Sequence, residues 1–203
     1  MRCAEEGRDV ARSTGFLEPE ANSEINIGLA ALELGDPGLA RDSFNRAEDI
    51  FARDDWYRWR YRQRLELGWA GYYASRSDWD RARDHAEKAA ELAINSSRGK
   101  HLALAYCRLA TIAMAVGDLE RAEVLLRQAD DELVTTNGVL ASWKIHATWA
   151  SLFKETGRLD ERIAHNQRAL ELLRGLAGSA PNDLRKIIRA SEPYRTLEQA
   201  CLA

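Results

Sequence analysis

Residues 101–133 read HLALAYCRLATIAMAVGDLERAEVLLRQADDEL, with a Val-Gly-Asp turn between two stretches of regularly spaced apolar residues. In both stretches the apolar residues recur three and four positions apart, which predicts two helices that each bury one face. Gly117 tolerates the left-handed backbone that ends a helix, and the Asp118 carboxylate can accept hydrogen bonds from the first free amides of the next helix. The stretch therefore predicts a helical hairpin.

The same turn recurs along the chain at a nearly constant interval. Its small residues are Gly35, Ser77, Gly117 and Gly157, which are separated by 42, 40 and 40 residues. Each is followed twelve residues later by an alanine: Ala47, Ala89, Ala129 and Ala169. A repeat of this length is typical of stacked helical pairs, so the sequence predicts an all-α fold of four helix-turn-helix units without strands.

These units resemble the tetratricopeptide repeat, which places small residues where its two helices approach closely. The matching residues are Gly28, Ala70, Ala110 and Ala150 in the first helices, and Ala40, Ala82 and Ala122 with Phe44 and Leu126 in the second helices. The fourth repeat departs most, because Arg162 and Asn166 stand at a small and a large position. The resemblance covers residues 20–177 and implies a right-handed α-solenoid.

The two ends of the chain differ from the repeats between them. Residues 1–19 look like the second helix of a partial N-terminal repeat, and residues 178–203 predict C-terminal capping helices that begin after Pro181. We interpret residues 1–203 as a single repeat domain. A solenoid that starts at half a repeat exposes an apolar face, which predicts either a longer parent chain or a homodimer through this half repeat.

A narrower resemblance rests on the Trp59-Arg60-Tyr61-Arg62 and Ser97-Arg98-Gly99-Lys100 segments together with the repeat length. With these features the chain resembles the C-terminal repeat region of large bacterial signalling ATPases, some of which carry nucleotide cyclase domains. None of the catalytic segments of those proteins is present. The resemblance implies a regulatory or sensor region whose partners include other domains of the parent chain.

Composition and motif searches argue against several other classes of protein. A net charge of −3 disfavours nucleic-acid binding, and no apolar run reaches the about 20 residues that span a bilayer, which predicts a cytoplasmic protein without a membrane partner. The three cysteines and four histidines lack metal-ligand spacing. Gly175–Ser179 lacks the lysine of a phosphate loop and predicts a helix end. We therefore predict a non-enzyme without cofactor or metal.

One segment favours a different partner. Residues 53–64 contain five arginines interleaved with Trp56, Tyr57, Trp59 and Tyr61, a composition that can stack on bases and pair with phosphates. The simpler interpretation is a helix whose arginine stems cover aromatic core residues while their charged heads remain in water. Binding of a small molecule or nucleic acid through this segment is the alternative hypothesis.

The leading hypothesis is a protein-interaction scaffold that binds a peptide or partner helix in the concave groove lined by the first helices. The family's inward positions correspond to Ile25, Leu29, Leu67, Gly71, Cys107, Thr111, Ala147 and Ser151. They are small or apolar, while Arg64, Lys144 and Lys154 are placed to hold an acidic flank of the partner. Internal packing of the same residues remains an equally weighted alternative.

Overall fold

The computed structural model describes residues 1–134 and 138–201, and within these ranges it contains eleven helices and no strand. In chain order these are α1 (Arg2–Thr14), α2 (Leu17–Glu33), α3 (Pro37–Arg53), α4 (Arg58–Ser75), α5 (Trp79–Asn95), α6 (Gly99–Ala115), α7 (Leu119–Val134), α8 (Val139–Glu155), α9 (Leu159–Ser179), α10 (Asn182–Ala190) and α11 (Glu192–Ala200). The predicted all-α class of helix-turn-helix repeats is confirmed.

The helices pack into two compact units, unit 1 (Met1–His101) and unit 2 (Leu102–Ala203). In unit 1, α2 pairs with α3 and α4 pairs with α5, while α1 lies along α2 and α4 also packs against α2 and α3. In unit 2, α8 pairs with α9, α7 packs against α8, and α10 and α11 both contact α9. The assignment of the whole chain to a single domain stays a prediction.

The four predicted hairpin turns share one backbone geometry. Gly35, Gly117 and Gly157 have φ of 75°, 83° and 71°, and Ser77 has φ of 58°. In the first turn the amide of Gly35 donates to Leu32 O and that of Asp36 to Ala31 O, the paired bonds of a Schellman motif. Asp36 Oδ1 then accepts from the amide of Leu39 at 2.9 Å and so caps α3. The α5–α6 turn has the same left-handed backbone at Ser97, with φ of 51°. The constant interval of the hairpin turns did not predict it.

Ser77→Gly is expected to raise the free energy of unfolding by about 1 kcal/mol. Serine in the left-handed region places its Cβ close to the following carbonyl oxygen, which costs about 1 to 2 kcal/mol. Glycine has no Cβ and removes that crowding. Glycine also raises the conformational entropy of the unfolded chain, which offsets part of this gain. Urea unfolding measures the change, with Gly117→Ser as the reverse substitution. A loss of stability for Ser77→Gly would contradict the assignment.

The core of unit 1 is built around Phe44, which is fully buried against the Trp69 ring with a centroid distance of 5.3 Å. Two helical glycines make room for the Phe44 ring. A methyl group at Gly28 of α2 would overlap Phe44 Cε1, and one at Gly68 of α4 would lie 2.6 Å from Phe44 Cζ. The small residue of the repeat pattern at Gly28 therefore has a direct steric cause.

At the start of unit 1, α1 contributes the buried Ala11 and an arginine that pairs with a buried carboxylate of α2. The carboxylate of Glu24 is fully buried, and it receives a 2.8 Å hydrogen bond from Arg12 of α1. Arg46 Nε of α3 lies 2.9 Å from the second carboxylate oxygen, without hydrogen-bond alignment. The one large apolar side chain of α1, Val10, is exposed and the rest of the outer face is polar or small. The apolar face that the sequence predicted for the N-terminal half repeat is thus small, and the homodimer stays a prediction.

At the other end, α9 does not stop at the predicted glycines. It continues through Gly175 and Gly178 and ends at Ser179. Each helical glycine costs about 1 kcal/mol relative to alanine. Burial of Leu173 and of Leu176 in the cluster formed with Tyr194 of α11 offsets that cost. The helix end predicted within Gly175–Ser179 therefore falls at the last residue of that segment.

Candidate functional site

In unit 1 the predicted wall is the face shared by the first helices α2 and α4, which contact each other. Leu29, Leu32 and Leu67 are half-buried on these helices and keep part of their apolar surface accessible. Ile25 is fully buried in the core and Gly71 is also buried, so neither offers free surface in this structure. The three half-buried leucines are thus the apolar part of this wall.

Arg64 of α4 is the charged part of the same wall. Its Nη1 donates to Asn22 Oδ1 at 2.8 Å and its Nη2 donates to Asn26 Oδ1 at 2.5 Å. Because a guanidinium only donates, the amide oxygens must face it and both NH2 groups point elsewhere. Burial lowers the pKa of Arg64 from its ordinary value. The pair Asn22 and Asn26 was missed in the sequence, although their spacing of four residues on a helix was visible.

In unit 2 the predicted wall residues are placed less uniformly. The Cys107 thiol is buried, its Sγ lies 3.2 Å from Thr148 Oγ1, and burial raises its pKa. The Thr111 and Ser151 hydroxyls donate to carbonyl oxygens of their own helices. Ala147 packs against the cluster formed by α9 and α11. Of these four residues Cys107 is buried, Thr111 and Ala147 are half-buried, and Ser151 is exposed.

The two predicted lysines of unit 2 lie on α8, which also carries the Trp143 ring. Lys144 is half-buried with its Nζ 5.4 Å from the centre of that ring, and Lys154 is exposed. A cation over an aromatic face is held there by the ring quadrupole. Lys154 is the more accessible of the two to an acidic partner.

The arginine-rich segment, residues 53–64, splits into two parts in the structure. Trp56 and Trp59 are 61% and 57% exposed, and the guanidinium groups of Arg60 and Arg98 lie 5.4 and 5.2 Å from the Trp59 ring centre. Tyr57, by contrast, is buried, and burial raises its pKa to about 12. The aromatic residues of this segment are therefore shared between the core and the surface.

Three of the five arginines in the segment, Arg60, Arg62 and Arg64, bind protein acceptors. Arg60 Nη1 donates to Glu18 Oε1 at 2.6 Å. Arg62 bridges Glu48 and the buried Glu66, whose second oxygen accepts from His85 Nδ1 at 2.6 Å. The expectation that the heads stay in water is wrong for Arg62 and Arg64, which are half-buried and held by protein acceptors, whereas the side chain of Arg60 remains 44% exposed beside Glu18.

Two histidines meet in unit 2. His146 Nδ1 and His165 Nδ1 are 3.2 Å apart, and the rings of Trp149 and Phe153 pack against His165. Burial lowers the pKa of His146 to about 4 and also lowers that of His165. Two nitrogens do not complete a metal site, and over residues 1–134 and 138–201 no three His, Cys, Asp or Glu side chains gather closely enough to hold an ion.

The described helices have no membrane-spanning character, and the described cysteines are unpaired. None of them combines the length with the apolar character that crossing a bilayer requires. The three cysteines, Cys3, Cys107 and Cys201, are free thiols in exposed, buried and half-buried positions. The structural features that remain as a site are the α2–α4 wall and the exposed tryptophans.

Comparison with protein families gives one match over most of the chain. The model described as the Suppressor of spindle checkpoint defect 1 C-terminal domain matches residues 37–182. This range runs from the start of α3 to the start of α10 and so includes three of the four hairpins in full. A comparison with curated protein sequences finds no match.

Among solved structures, the chain is similar to the crystal structure of BtubC (BKLC) from P. vanneervenii, with a TM-score of 0.64 and 16% identity over 98% of this chain and 84% of that one. It is also similar to aspartyl phosphate phosphatase F from Bacillus subtilis, with a TM-score of 0.65 and 10% identity over 98% of this chain. It spans 56% of the length of that phosphatase chain. Identities this low establish the helical fold and nothing beyond it.

Proposed function

The chain belongs to the family of the Suppressor of spindle checkpoint defect 1 C-terminal domain, and from that premise we propose that it is a non-catalytic protein-interaction scaffold. The observation that carries the proposal is the α2–α4 wall, where Leu29, Leu32 and Leu67 keep accessible apolar surface beside Arg64. Apolar surface grouped on one helical face commonly marks an interaction site. The proposed ligand is a peptide or a partner helix that covers these leucines.

Leu67→Ser is expected to weaken peptide binding by about tenfold or more, because it removes an apolar contact at the centre of the wall. The peptides come from a displayed random library selected on the wild-type chain, and their affinities are measured by fluorescence polarisation. Ile94→Ser is the matched control, since Ile94 is an exposed apolar side chain of α5. Thermal melts verify that both variants fold. Equal affinities of Leu67→Ser and wild type for every selected peptide would contradict the proposal.

A second candidate function is nucleic-acid binding at Trp56 and Trp59. Their exposure favours it, because single-stranded nucleic acids stack on accessible aromatic rings. The commitment of Arg60 and Arg62 to carboxylates weighs against it. Salt dependence separates the two candidates: oligo(dT) held through phosphates would dissociate steeply as salt rises, whereas an apolar peptide would not.

The narrower role in regulating a bacterial signalling ATPase stays a prediction from sequence resemblance, as does the cytoplasmic location. Its support is the resemblance of Trp59–Arg62 and Ser97–Lys100 to that class. The reading frame upstream of Met1 tests it, since an in-frame nucleotide-binding domain is expected there. A frame that encodes a different class of domain would contradict the ATPase assignment.

A further inference from the structure

His146 of α8 and His165 of α9 are joined by a single hydrogen bond between their rings. The two Nδ1 atoms are 3.2 Å apart, and the ring centres lie 5.0 Å apart at an angle of 65°. A neutral imidazole carries one N–H group and one lone pair. One ring therefore donates from Nδ1 while the other accepts at Nδ1, so the two rings must be opposite tautomers.

This histidine pair is packed among aromatic side chains between the two helices. Both histidines are half-buried, and the ring centres of Trp149 and Phe153 lie 5.7 and 5.3 Å from that of His165. Trp149 is itself held by a 2.8 Å hydrogen bond from its Nε1 to Asp130 of α7. Rotation of the His165 ring away from His146 would therefore disturb the packing between α8 and α9.

The geometry of the pair accommodates one added proton but not two. If the donor ring takes up a proton at Nε2, its Nδ1–H still points at the acceptor, so the hydrogen bond survives. A second proton must enter at Nδ1 of the acceptor ring. That step sets two N–H groups and two positive charges face to face, an arrangement that like charges strongly disfavour. The closed hairpin therefore excludes the second proton.

The charged groups around the pair do not offset a second positive charge. On α9, Arg168 adds a positive charge that acts on His146. Glu161, on the same helix, raises the pKa of His165, but burial lowers it more. The Asp130 carboxylate of α7 already accepts from Trp149. Other charged groups of α7, α9, α10 and α11 are engaged with different partners: Glu123 with Arg127 and Arg158, Glu198 with Arg174, and Arg185 with the carbonyl oxygens of Ala177 and Gly178.

We propose that His146 and His165 form a proton-sensitive contact that holds the α8–α9 hairpin closed at neutral pH and lets it open when the pair takes up two protons. Both α10 and α11 contact α9, so opening also loosens the C-terminal helices of unit 2. The device resides wholly in unit 2 and does not depend on a ligand of the α2–α4 wall. Protonation of paired histidines is a recognised way to change the packing of two elements.

Acid is expected to open the hairpin because the closed state binds fewer protons than the open one. In the open hairpin both histidines titrate near the ordinary histidine pKa of 6.5. In the closed hairpin burial, then the charge of His165 and then that of Arg168 lower the pKa of His146 to about 4. A group with a depressed pKa stabilises the closed state fully above 6.5, and this contribution is lost as pH falls toward about 4.

The first test identifies the tautomers in the full wild-type chain. Long-range proton–nitrogen spectra at about pH 8, above the ordinary pKa of histidine, report which ring nitrogen carries the hydrogen. One member of the pair should carry it on Nδ1 and the other on Nε2. Two Nε2–H tautomers would overturn the proposal, because neither Nδ1 could then donate. This readout does not depend on the folding of a variant.

The second test replaces one member of the pair with a side chain that does not titrate. In His165→Asn the amide lies where the imidazole Nδ1 was and can present either N–H or oxygen to His146. The pKa of His146, followed by its ring proton signals, should then rise by about one pH unit or more, because a like charge is removed and the amide oxygen accepts from the protonated ring. His101→Asn is the matched control, since the low pKa of His101 arises from burial, Lys100, Arg98 and Arg64 rather than from a second histidine. It should leave the titration of His146 unchanged.

Hydrogen exchange tests the opening itself. Protection factors of α8 and α9 amides in the wild-type chain should fall by about tenfold or more between about pH 7 and about pH 4.5, because each excluded proton shifts the opening equilibrium tenfold per pH unit. In His165→Asn the fall should be at least several times smaller, whereas His101→Asn should retain the wild-type fall in these two helices. An unmoved pKa of His146 in His165→Asn, or an equal fall of protection in that variant and the wild type, overturns the proposal. If His165→Asn does not fold, the wild-type tautomers and the wild-type fall of protection decide it, and the absence of either overturns it.

Discussion

Replacing Arg62 with methionine is expected to lower the free energy of unfolding by about 3 to 5 kcal/mol, the cost of leaving a buried charge without its partner. Glu66 is 2% exposed, and Arg62 reaches it with Nε at 2.7 Å and Nη2 at 2.6 Å. The same guanidinium binds Glu48 of α3. Its removal leaves two carboxylates close together, one of them buried.

The stability lost in Arg62→Met should depend on pH in a defined direction. Burial alone raises the pKa of Glu66, but the hydrogen bond from His85 and the charge of Arg62 hold that pKa below its ordinary value. A carboxyl with a depressed pKa in the folded state stabilises the fold above its unfolded pKa of about 4.3. This contribution disappears as pH falls through the folded pKa. Without Arg62 only His85 opposes the effect of burial, so the pKa of Glu66 should rise and the deficit of the variant should shrink on acidification.

Urea unfolding of both proteins at about pH 7 and about pH 4 measures the two deficits. Arg83→Met is the control, because Arg83 pairs with Asp80 at 3.4 Å on the surface and its loss should cost about 1 kcal/mol or less. A cost for Arg62→Met no larger than that of Arg83→Met would show that the Glu66 cluster adds little stability. A deficit that grows on acidification would contradict the assigned direction of the pKa shift.

The parts of the fold that depend on local spacing were predictable from the sequence. Gly35, Ser77, Gly117 and Gly157 mark turns because left-handed backbone at a helix end restricts the residue type, and that restriction is visible in the chain itself. Ser97 has the same backbone in the turn between two repeats, where the interval between hairpin turns gives no signal. Local spacing thus predicted the hairpin turns but not the turn that joins α5 to α6.

The contacts of the candidate site depended on which helices meet. Arg62 and Arg64 are two residues apart on α4, yet the first reaches Glu48 and Glu66 and the second reaches Asn22 and Asn26. Glu66 lies four residues after Arg62 on α4, so that pair was readable from the sequence, whereas Glu48 of α3 and Asn22 and Asn26 of α2 come from other helices. Ala147 likewise packs against a cluster that α9 and α11 supply, which spacing on α8 alone did not predict.

Gly28→Ala is expected to lower the free energy of unfolding by about 1 to 3 kcal/mol, although alanine is the better helix former by about 1 kcal/mol. The added methyl group would overlap the Phe44 ring. That ring cannot move aside easily, because Gly68 lies against it from α4 and Trp69 packs on it. The steric penalty should therefore exceed the gain in helix propensity.

Removing the ring should reverse the sign of the glycine effect. Phe44→Ala alone is expected to cost about 3 to 5 kcal/mol, because it empties the centre of the unit 1 core. In that background Gly28→Ala meets no ring, so it should stabilise the protein by up to about 1 kcal/mol. A double-mutant cycle followed by urea unfolding measures this coupling between the two sites.

Gly175→Ala is the control for helix propensity in this cycle. Gly175 lies within α9, and no atom outside its own helix would come within 4 Å of an added Cβ. The substitution should therefore stabilise the protein by up to about 1 kcal/mol in either background. If Gly28→Ala behaves as Gly175→Ala does while Phe44 is present, the ring is not confined by the two glycines. The close approach of α2 and α4 would then need another cause.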